Sequence, residues 1–265
     1  MPRKKLRVAA VQMPVTHDVN TNMMRIKGFL DALRRRRVDV AAFPECAVSG
    51  YLVPPKKLDP AALRKATARL RALARRSRIA IVVGTTEIRC GKRYNTALAI
   101  DKAGRIAARY DKAHLTGDDH TCYTPGRGLP PVFTLCGARA ALEICFDVRF
   151  PEHARMAALG GARVLFTIFS ACGSGTWKKP VLGALVRARA AENTIYHVAA
   201  NAAHKVQMLA SAIVAPDGLV LAEARPAEAL AVLVADLDVA KATRSLLRAR
   251  RPGLYALKHT PRRHK

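Results

Sequence analysis

Short apolar runs alternate with longer stretches whose apolar residues recur three or four apart, and this alternation restricts the chain to strands and helices layered on one another. LRVAAVQM (6–13) and VDVAAFPE (38–45) read as strands. Between them, Met23, Ile26, Leu30 and Leu33 mark one face of a helix over 20–37, which Arg34 to Arg37 close with cations suited to its C-terminal dipole. Leu63, Ala66, Leu70 and Leu73 mark a second amphipathic helix, followed by the strand IAIVVGT (79–85). A meander is expected next, in YNTALAID, GRIAARYD, PVFTLC and ARAALEIC. Pro151 opens a short helix that Gly160 and Gly161 close. ARVLFTIFS then reads as a buried strand and PVLGALVRARAAEN as a helix. The last third offers the strands TIYHVAAN, MLASAIVAPDG, LVLAEA and LAVLVADLD, with Asp217-Gly218 as a tight turn.

At 265 residues the chain buries a core as one α/β domain, expected over 1–250, with a basic tail at 251–265. The 46 Lys and Arg against 19 Asp and Glu leave a net charge of +27. Such a surface attracts nucleic acid non-specifically, but no aromatic-basic module or zinc spacing accompanies the charge, and the cations follow probable outer helix faces. Six cysteines form no C-x-x-C pair, the basic start precedes too short an apolar run for a secretory signal, and no stretch is long enough to span a membrane. A reducing cytoplasm with free thiols is the simplest setting.

Three strand ends carry chemistry. In ALEICFDVRF (141–150) Cys145 stands where an apolar run turns into a helix start, with the Phe146 N–H placed to donate to an oxyanion and the helix terminus placed to lower the thiol pKa. A cysteine at the end of an apolar strand more often serves packing. FPECAVSGY (43–51) puts Glu45 at a second strand end, and YDKAHL (110–115) puts Lys112 at a third. Base, oxyanion donor and nucleophile make a working set where α/β proteins gather their sites.

With these stretches the chain resembles the nitrilase, or carbon-nitrogen hydrolase, superfamily. The resemblance rests on Pro44-Glu45 with Ser49-Gly50-Tyr51, on Tyr110-Asp111-Lys112-Ala113-His114-Leu115, and on Ile144-Cys145-Phe146-Asp147-Val148-Arg149-Phe150-Pro151-Glu152. AVQMPV, YTPG (123–126), RARAAENTIYHVAANAA (187–203) and APDGLVLAEA (215–224) extend it over about residues 6–240. It implies a four-layer α-β-β-α sandwich paired into homodimers or larger homo-oligomers, with no metal or organic cofactor. It further implies that Glu45 takes the Cys145 proton, that the thiolate attacks a small linear carboxamide, carbamoyl or nitrile carbon, and that Lys112 with the Phe146 N–H holds the oxyanion. Ammonia or an amine leaves, and water activated by Glu45 hydrolyses the thioester. The R-F-P-E run is more similar to the amidase branches than to true nitrilases.

The family pattern has a second glutamate before its P-G turn, and here Asp119 falls at that position. Two readings stand: a site acid of shorter reach, or a solvated loop acid. Glu143 reads as the partner of an arginine, and His114 as a core histidine propping the lysine loop. A papain-like pairing of the thiol with His197 or His204 would leave Glu45 and Lys112 without roles. Cys46, beside Glu45 on an extended segment, should face away as a packing residue. Tyr51, Arg149, Ser170, Cys172 and Trp177 are candidates to contact substrate; Arg149 either pairs a substrate carboxylate or braces Asp147 or Glu152. The alternative to an enzyme is a basic nucleic-acid-associated protein, or an impaired member, on the same scaffold.

Overall fold

The computed structural model describes residues 5–173, 175, 177–225 and 230–254. Its twelve strands are β1 (Leu6–Gln12), β2 (Val40–Ala42), β3 (Ala80–Arg89), β4 (Lys92–Ile100), β5 (Ile106–Asp111), β6 (Val132–Leu135), β7 (Ala138–Ile144), β8 (Val164–Phe169), β9 (Tyr196–Asn201), β10 (Ala212–Val214), β11 (Val220–Glu223) and β12 (Ala231–Leu237). They form two six-stranded sheets, ordered β12-β1-β2-β3-β4-β5 and β11-β10-β9-β8-β7-β6. Each sheet has three parallel strands at its centre, β1-β2-β3 and β7-β8-β9, flanked by antiparallel ones.

The strand period of two explains the layering. In β1, Val8 and Ala10 face the other sheet while Ala9 and Val11 face the helices. Against that outer face lie α1 (Val19–Arg35) and α2 (Pro60–Ser77), through Met23, Ile26, Leu30, Leu33, Ala66 and Leu70. The second sheet is covered by α3 (Pro151–Leu159) and α4 (Lys178–Asn193). A buried layer including Val40, Val82, Leu142, Ile144, Phe166, Ile168 and Val198 fills the space between sheets. The four-layer α-β-β-α expectation therefore holds. Asp18 and Asp59 cap α1 and α2 by accepting the N–H of Thr21 and Ala61.

Gly160 and Gly161 end α3, the latter at φ +99°, and Gly218 takes the left-handed position of the β10–β11 turn at φ +84°. After β12 come a short helix α5 (Ser245–Ala249) and a 3₁₀ turn at Pro252–Leu254; the rest of the expected basic tail, 255–265, lies outside the described residues. Among the described residues no helix is long and apolar enough to cross a membrane.

The C-terminal ends of β2, β5, β7 and β8 converge between the two sheets. The Glu45 N–H donates to the Phe169 carbonyl across the gap, at 3.2 Å, so the two sheets are joined where their strands end.

Candidate active site

Glu45 lies three residues beyond β2, in a tight turn rather than an extended segment. This corrects the expected geometry of Cys46, which sits at φ +50° and buries its sulfur against Asn95 Oδ1 and the Tyr123 hydroxyl. Burial and the Glu45 charge push the Cys46 thiol up to about 12, so it is a wall and not a second nucleophile. The turn depends on Gly84 in β3. A Cβ there would stand 2.3 Å from the Cys46 nitrogen and 2.6 Å from the Glu45 Cα, so only glycine allows the Glu45 backbone this close.

The Glu45 carboxylate is fully buried and accepts three hydrogen bonds. Asn95 Nδ2 (2.7 Å) and Lys112 Nζ (2.9 Å) donate to Oε1, and the Ser170 N–H (2.8 Å) donates to Oε2. A carboxylate offers about four lone-pair sites. One acceptor position, on Oε2, is left.

Lys112 follows β5 and is 1% exposed, a large side chain with its ammonium wholly inside. It gives one N–H to Glu45 and a second to Asp119 Oδ2 at 2.7 Å. An ammonium has three donors. One is left here too. Burial by itself would strip the proton, but the charges of Glu45, Cys145 and Asp119 outweigh it and hold the ammonium pKa well above its ordinary value.

Asp119 settles between its two readings as a member of this cluster. It is fully buried, and besides Lys112 it accepts from the Tyr51 hydroxyl (2.9 Å) and the Thr116 N–H (3.0 Å). Burial pushes its carboxyl up, and the Lys112 charge with these hydrogen bonds overcomes that push and keeps it low.

Cys145 directly follows β7, at φ +47°, a left-handed conformation that a non-glycine residue holds only under constraint. A short 3₁₀ turn, Cys145–Arg149, follows, and α3 begins at Pro151. The Phe146 N–H belongs to the first turn of this segment, where backbone donors lack intrahelical partners. The expected lowering of the thiol pKa is overturned. Burial first, then the Glu45 charge, raise it well above the ordinary value, against weaker opposing pulls from Lys112 and the Ser170 N–H. Charge count adds to burial: Glu45, Lys112 and Asp119 as ions sum to −1, which disfavours a further anion beside them.

A polar network beneath the turn was missed in the sequence. Asp147 Oδ2 accepts from the Ile144 N–H (3.2 Å) and the Tyr110 hydroxyl (2.8 Å), while Oδ1 accepts from the His114 N–H (3.0 Å) and meets His114 Nδ1 at 2.8 Å. Asp147 thereby ties the end of β7, next to Cys145, to Tyr110 and His114, which bracket the 111–113 segment that holds Lys112. His114 is half-buried and stacked on Phe150, not a core residue, yet it does brace the lysine loop. Among the described residues Glu143 pairs no arginine; it meets His153 Nδ1 (3.2 Å) and accepts from the Thr167 hydroxyl (3.1 Å) on the helix side of the sheet. His114, Asp147 and His153 bring three potential metal-ligating atoms within 4.8 Å of one another, but each is already engaged in the hydrogen bonds just given or with Tyr110, as donor-acceptor pairs that need no ion.

His197 is buried, its ring nitrogens engaged with the Val186 carbonyl and Thr167, and burial lowers its pKa; His204 is exposed. Neither is placed as a papain-like base. Of the substrate candidates, Tyr51 closes over Lys112, with Nζ 5.8 Å from its ring centre. Ser170 contributes its backbone N–H rather than its hydroxyl. Cys172 is exposed, and Glu45 helps raise its thiol pKa, after burial, so it stands within electrostatic range of the cluster. Arg149 braces neither Asp147 nor Glu152: its guanidinium lies 5.8 Å from the Phe146 ring and 5.6 Å from that of Trp177, which is 60% exposed. Asn95 is the residue that sequence reasoning passed over, although Asn95 and Thr96 are polar, in a strand that continues as ALAI.

The carbon-nitrogen hydrolase family model matches residues 7–245. A hydrolase of Pseudomonas protegens is 33% identical over 265 residues, covering 95% of this chain and 91% of its own. A deaminated glutathione amidase of Synechocystis sp. is 31% identical, covering 89% and 93% respectively. Among solved structures, a mutant of the amidase from Nesterenkonia sp. AN1, with the acetamide moiety of fluoroacetamide added to its active-site cysteine, superimposes with a TM-score of 0.84 at 29% identity, over 96% of this chain and 97% of that one. With the sandwich and the acid-amine-thiol convergence already described, these matches fix the assignment: the chain belongs to the carbon-nitrogen hydrolase family of the nitrilase superfamily.

Proposed function

We propose that the protein is a thiol amidohydrolase that cleaves a small linear carboxamide or N-carbamoyl compound through a Cys145 thioester. The observation that carries this reading is the donor and acceptor census: Glu45 keeps one acceptor position, Lys112 keeps one donor, and Cys145 is electrostatically coupled to both. The amidase relatives support amides as the substrate class.

Glu45 takes the Cys145 proton as sulfur attacks the carbonyl carbon, and the oxyanion accepts from Lys112 Nζ and the Phe146 N–H. On collapse the C–N bond breaks, the proton passes from Glu45 to the leaving nitrogen, and an acyl thioester remains. Water then gives a proton to Glu45 and attacks; the C–S bond breaks, the acid leaves and the thiol is restored. The general base contributes roughly 10² to 10⁴ in rate. Each oxyanion donor contributes about 3 to 4 kcal/mol. Asp119 and Tyr51 hold Lys112, while Arg149, framed by Phe146 and Trp177, presents a cation to a carboxylate borne by the substrate. The enzyme works as a homodimer in a reducing cytoplasm and uses no cofactor.

Ammonia release is measured from a panel of amides, carbamoyl amino acids and nitriles, with Cys145→Ala as control. Release from amides by the wild type alone, with an acyl adduct on Cys145 in intact-mass spectra, is expected. Equal release by both proteins would end the proposal.

A further inference from the structure

A second concave site lies at the opposite end of the first sheet. The connections from α1 to β2 and from α2 to β3 run side by side, because β2 and β3 pair in parallel with Val40 against Ala80. Both enter at the N-terminal edge of the sheet, while Glu45 leaves from the C-terminal edge. Around these two connections and Lys102 lies a cavity of about 710 Å³.

Its walls hold Arg34 from the last turn of α1 and Arg37 just past it, Arg75 and Arg76 from the last turn of α2 and Arg78 just past it, and Lys102 from the β4–β5 turn. The one acid among them, Asp39, is taken by Lys102 at 2.5 Å and by the Arg7 N–H at 3.0 Å. Arg76 has Asp31 at 3.8 Å; among the described residues Arg34, Arg37, Arg75 and Arg78 have no carboxylate within salt-bridge distance. Helix C-termini favour cations, which accounts for one or two arginines at each. It does not account for Arg37 and Arg78, which stand just past those ends at φ +54° and +57°, where glycine is the unstrained residue. At both helix ends an arginine with a left-handed backbone occupies the position that a glycine would fill, and both residues line the same cavity.

We propose that this cavity binds the phosphate backbone of a nucleic acid, as a function separate from the hydrolytic site. Guanidiniums match phosphate oxygens in pairs. No aromatic side chain lines the cavity, so bases have nothing to stack on and binding is independent of sequence.

The test is fluorescence-anisotropy titration of labelled oligouridylate, over a range of salt, with the full-length protein. Three forms are compared: wild type, Arg34, Arg37, Arg75 and Arg78 all changed to Gln, and a control losing the same charge at exposed Lys56, Lys57, Lys92 and Arg251. The groove variant should lose tenfold or more in affinity and lower the log–log salt slope by about 3, at about 0.7 per phosphate contact. The control should lose less than threefold. The pair Arg37→Gly and Arg78→Gly relieves backbone strain and so keeps the fold while also weakening binding. Equal loss in the groove variant and the control, or no loss in either, overturns the site in favour of diffuse surface charge. Inorganic polyphosphate that competes far better per phosphate than oligouridylate overturns the nucleic-acid assignment.

Discussion

Replacing Gly84 by alanine tests how tightly the fold positions Glu45, the proposed general base. The added Cβ would begin 2.3 Å from the Cys46 nitrogen and 2.6 Å from the Glu45 Cα, where ordinary contact starts at 3.4 Å. Neither obstacle is a flexible side chain, so relief requires the 44–47 turn and β3 to separate by about 1.1 Å. The Gly84 N–H and the Val48 N–H, bonded to the Pro44 and Gly84 carbonyls at 3.1 Å, are stretched by the same movement. Overpacking of this kind costs about 1 to 3 kcal/mol. Because a reacting group misplaced by ~1 Å loses on the order of 10² in rate, kcat/KM for an amide should fall about a hundredfold in a protein that still folds. Gly28→Ala is the control: nothing lies within 4 Å of its Cβ position in α1, and alanine should add about 0.5 to 1 kcal/mol of stability without touching activity. Thermal melts and steady-state kinetics of both variants decide the matter. Wild-type kcat/KM in Gly84→Ala would refute the view that backbone contact at this glycine sets the Glu45 position.

Four further outcomes follow from the site. Asp119→Asn keeps its oxygen toward Lys112 and Thr116 but removes a charge that raises the Cys145 pKa, so the midpoint for alkylation by iodoacetamide should move to lower pH; an unchanged midpoint would show that Asp119 does not set it. Lys112→Met leaves two buried carboxylates without their cation and should cost about 3 to 5 kcal/mol of stability by denaturant titration, more than an exposed lysine such as Lys92. Tyr110→Phe removes the hydroxyl that joins Asp147 to His153 and accepts the Ala113 N–H, and should lower kcat more than it raises KM. His197 has a lowered pKa when folded, so the folded state binds fewer protons than the unfolded chain once pH falls below about 6.5. Its share of stability is present above that pH and is lost below it, at up to about 1.4 kcal/mol per pH unit, a loss that His197→Gln should reduce in melts at pH 7 and 5.

Most of the fold was legible because its elements are locally consistent. Met23, Ile26, Leu30 and Leu33 bury one helix face, and every apolar run assigned to a strand overlaps one, β3 running four residues past its run and β4 starting two before. The glutamate, lysine and cysteine were legible for a different reason: each is a chemical group that an apolar strand end does not need. What stayed hidden was set by tertiary proximity. Asn95 and Gly84 lie inside strands, and their importance comes from the neighbouring strand end that crosses them. Asp119 resolves only through Lys112, seven residues away in sequence but joined to it by a loop whose path composition does not give. Tyr110, His114 and Asp147 were quoted within the motifs, yet their mutual contacts join β5 to β7 across the sheet interface, beyond the reach of any local pattern.

The raised thiol pKa bears on how the proposed chemistry starts. A thiol activated by a helix terminus would rest as a thiolate, and beside Glu45 and Asp119 that state would place three anions around one ammonium. In the protein as folded, Lys112 divides its charge between two carboxylates, and the cluster stands at −1 with the thiol protonated. Moving the proton from sulfur to the open position on Glu45 leaves that total unchanged, so nucleophile formation needs no new charge in a buried site. When sulfur attacks, that same negative charge passes to the carbonyl oxygen, next to the unused Lys112 donor, and the total is again unchanged. Burial, which opposes a free thiolate, therefore confines the reactive anion to the moment when a carbonyl carbon is there to receive it.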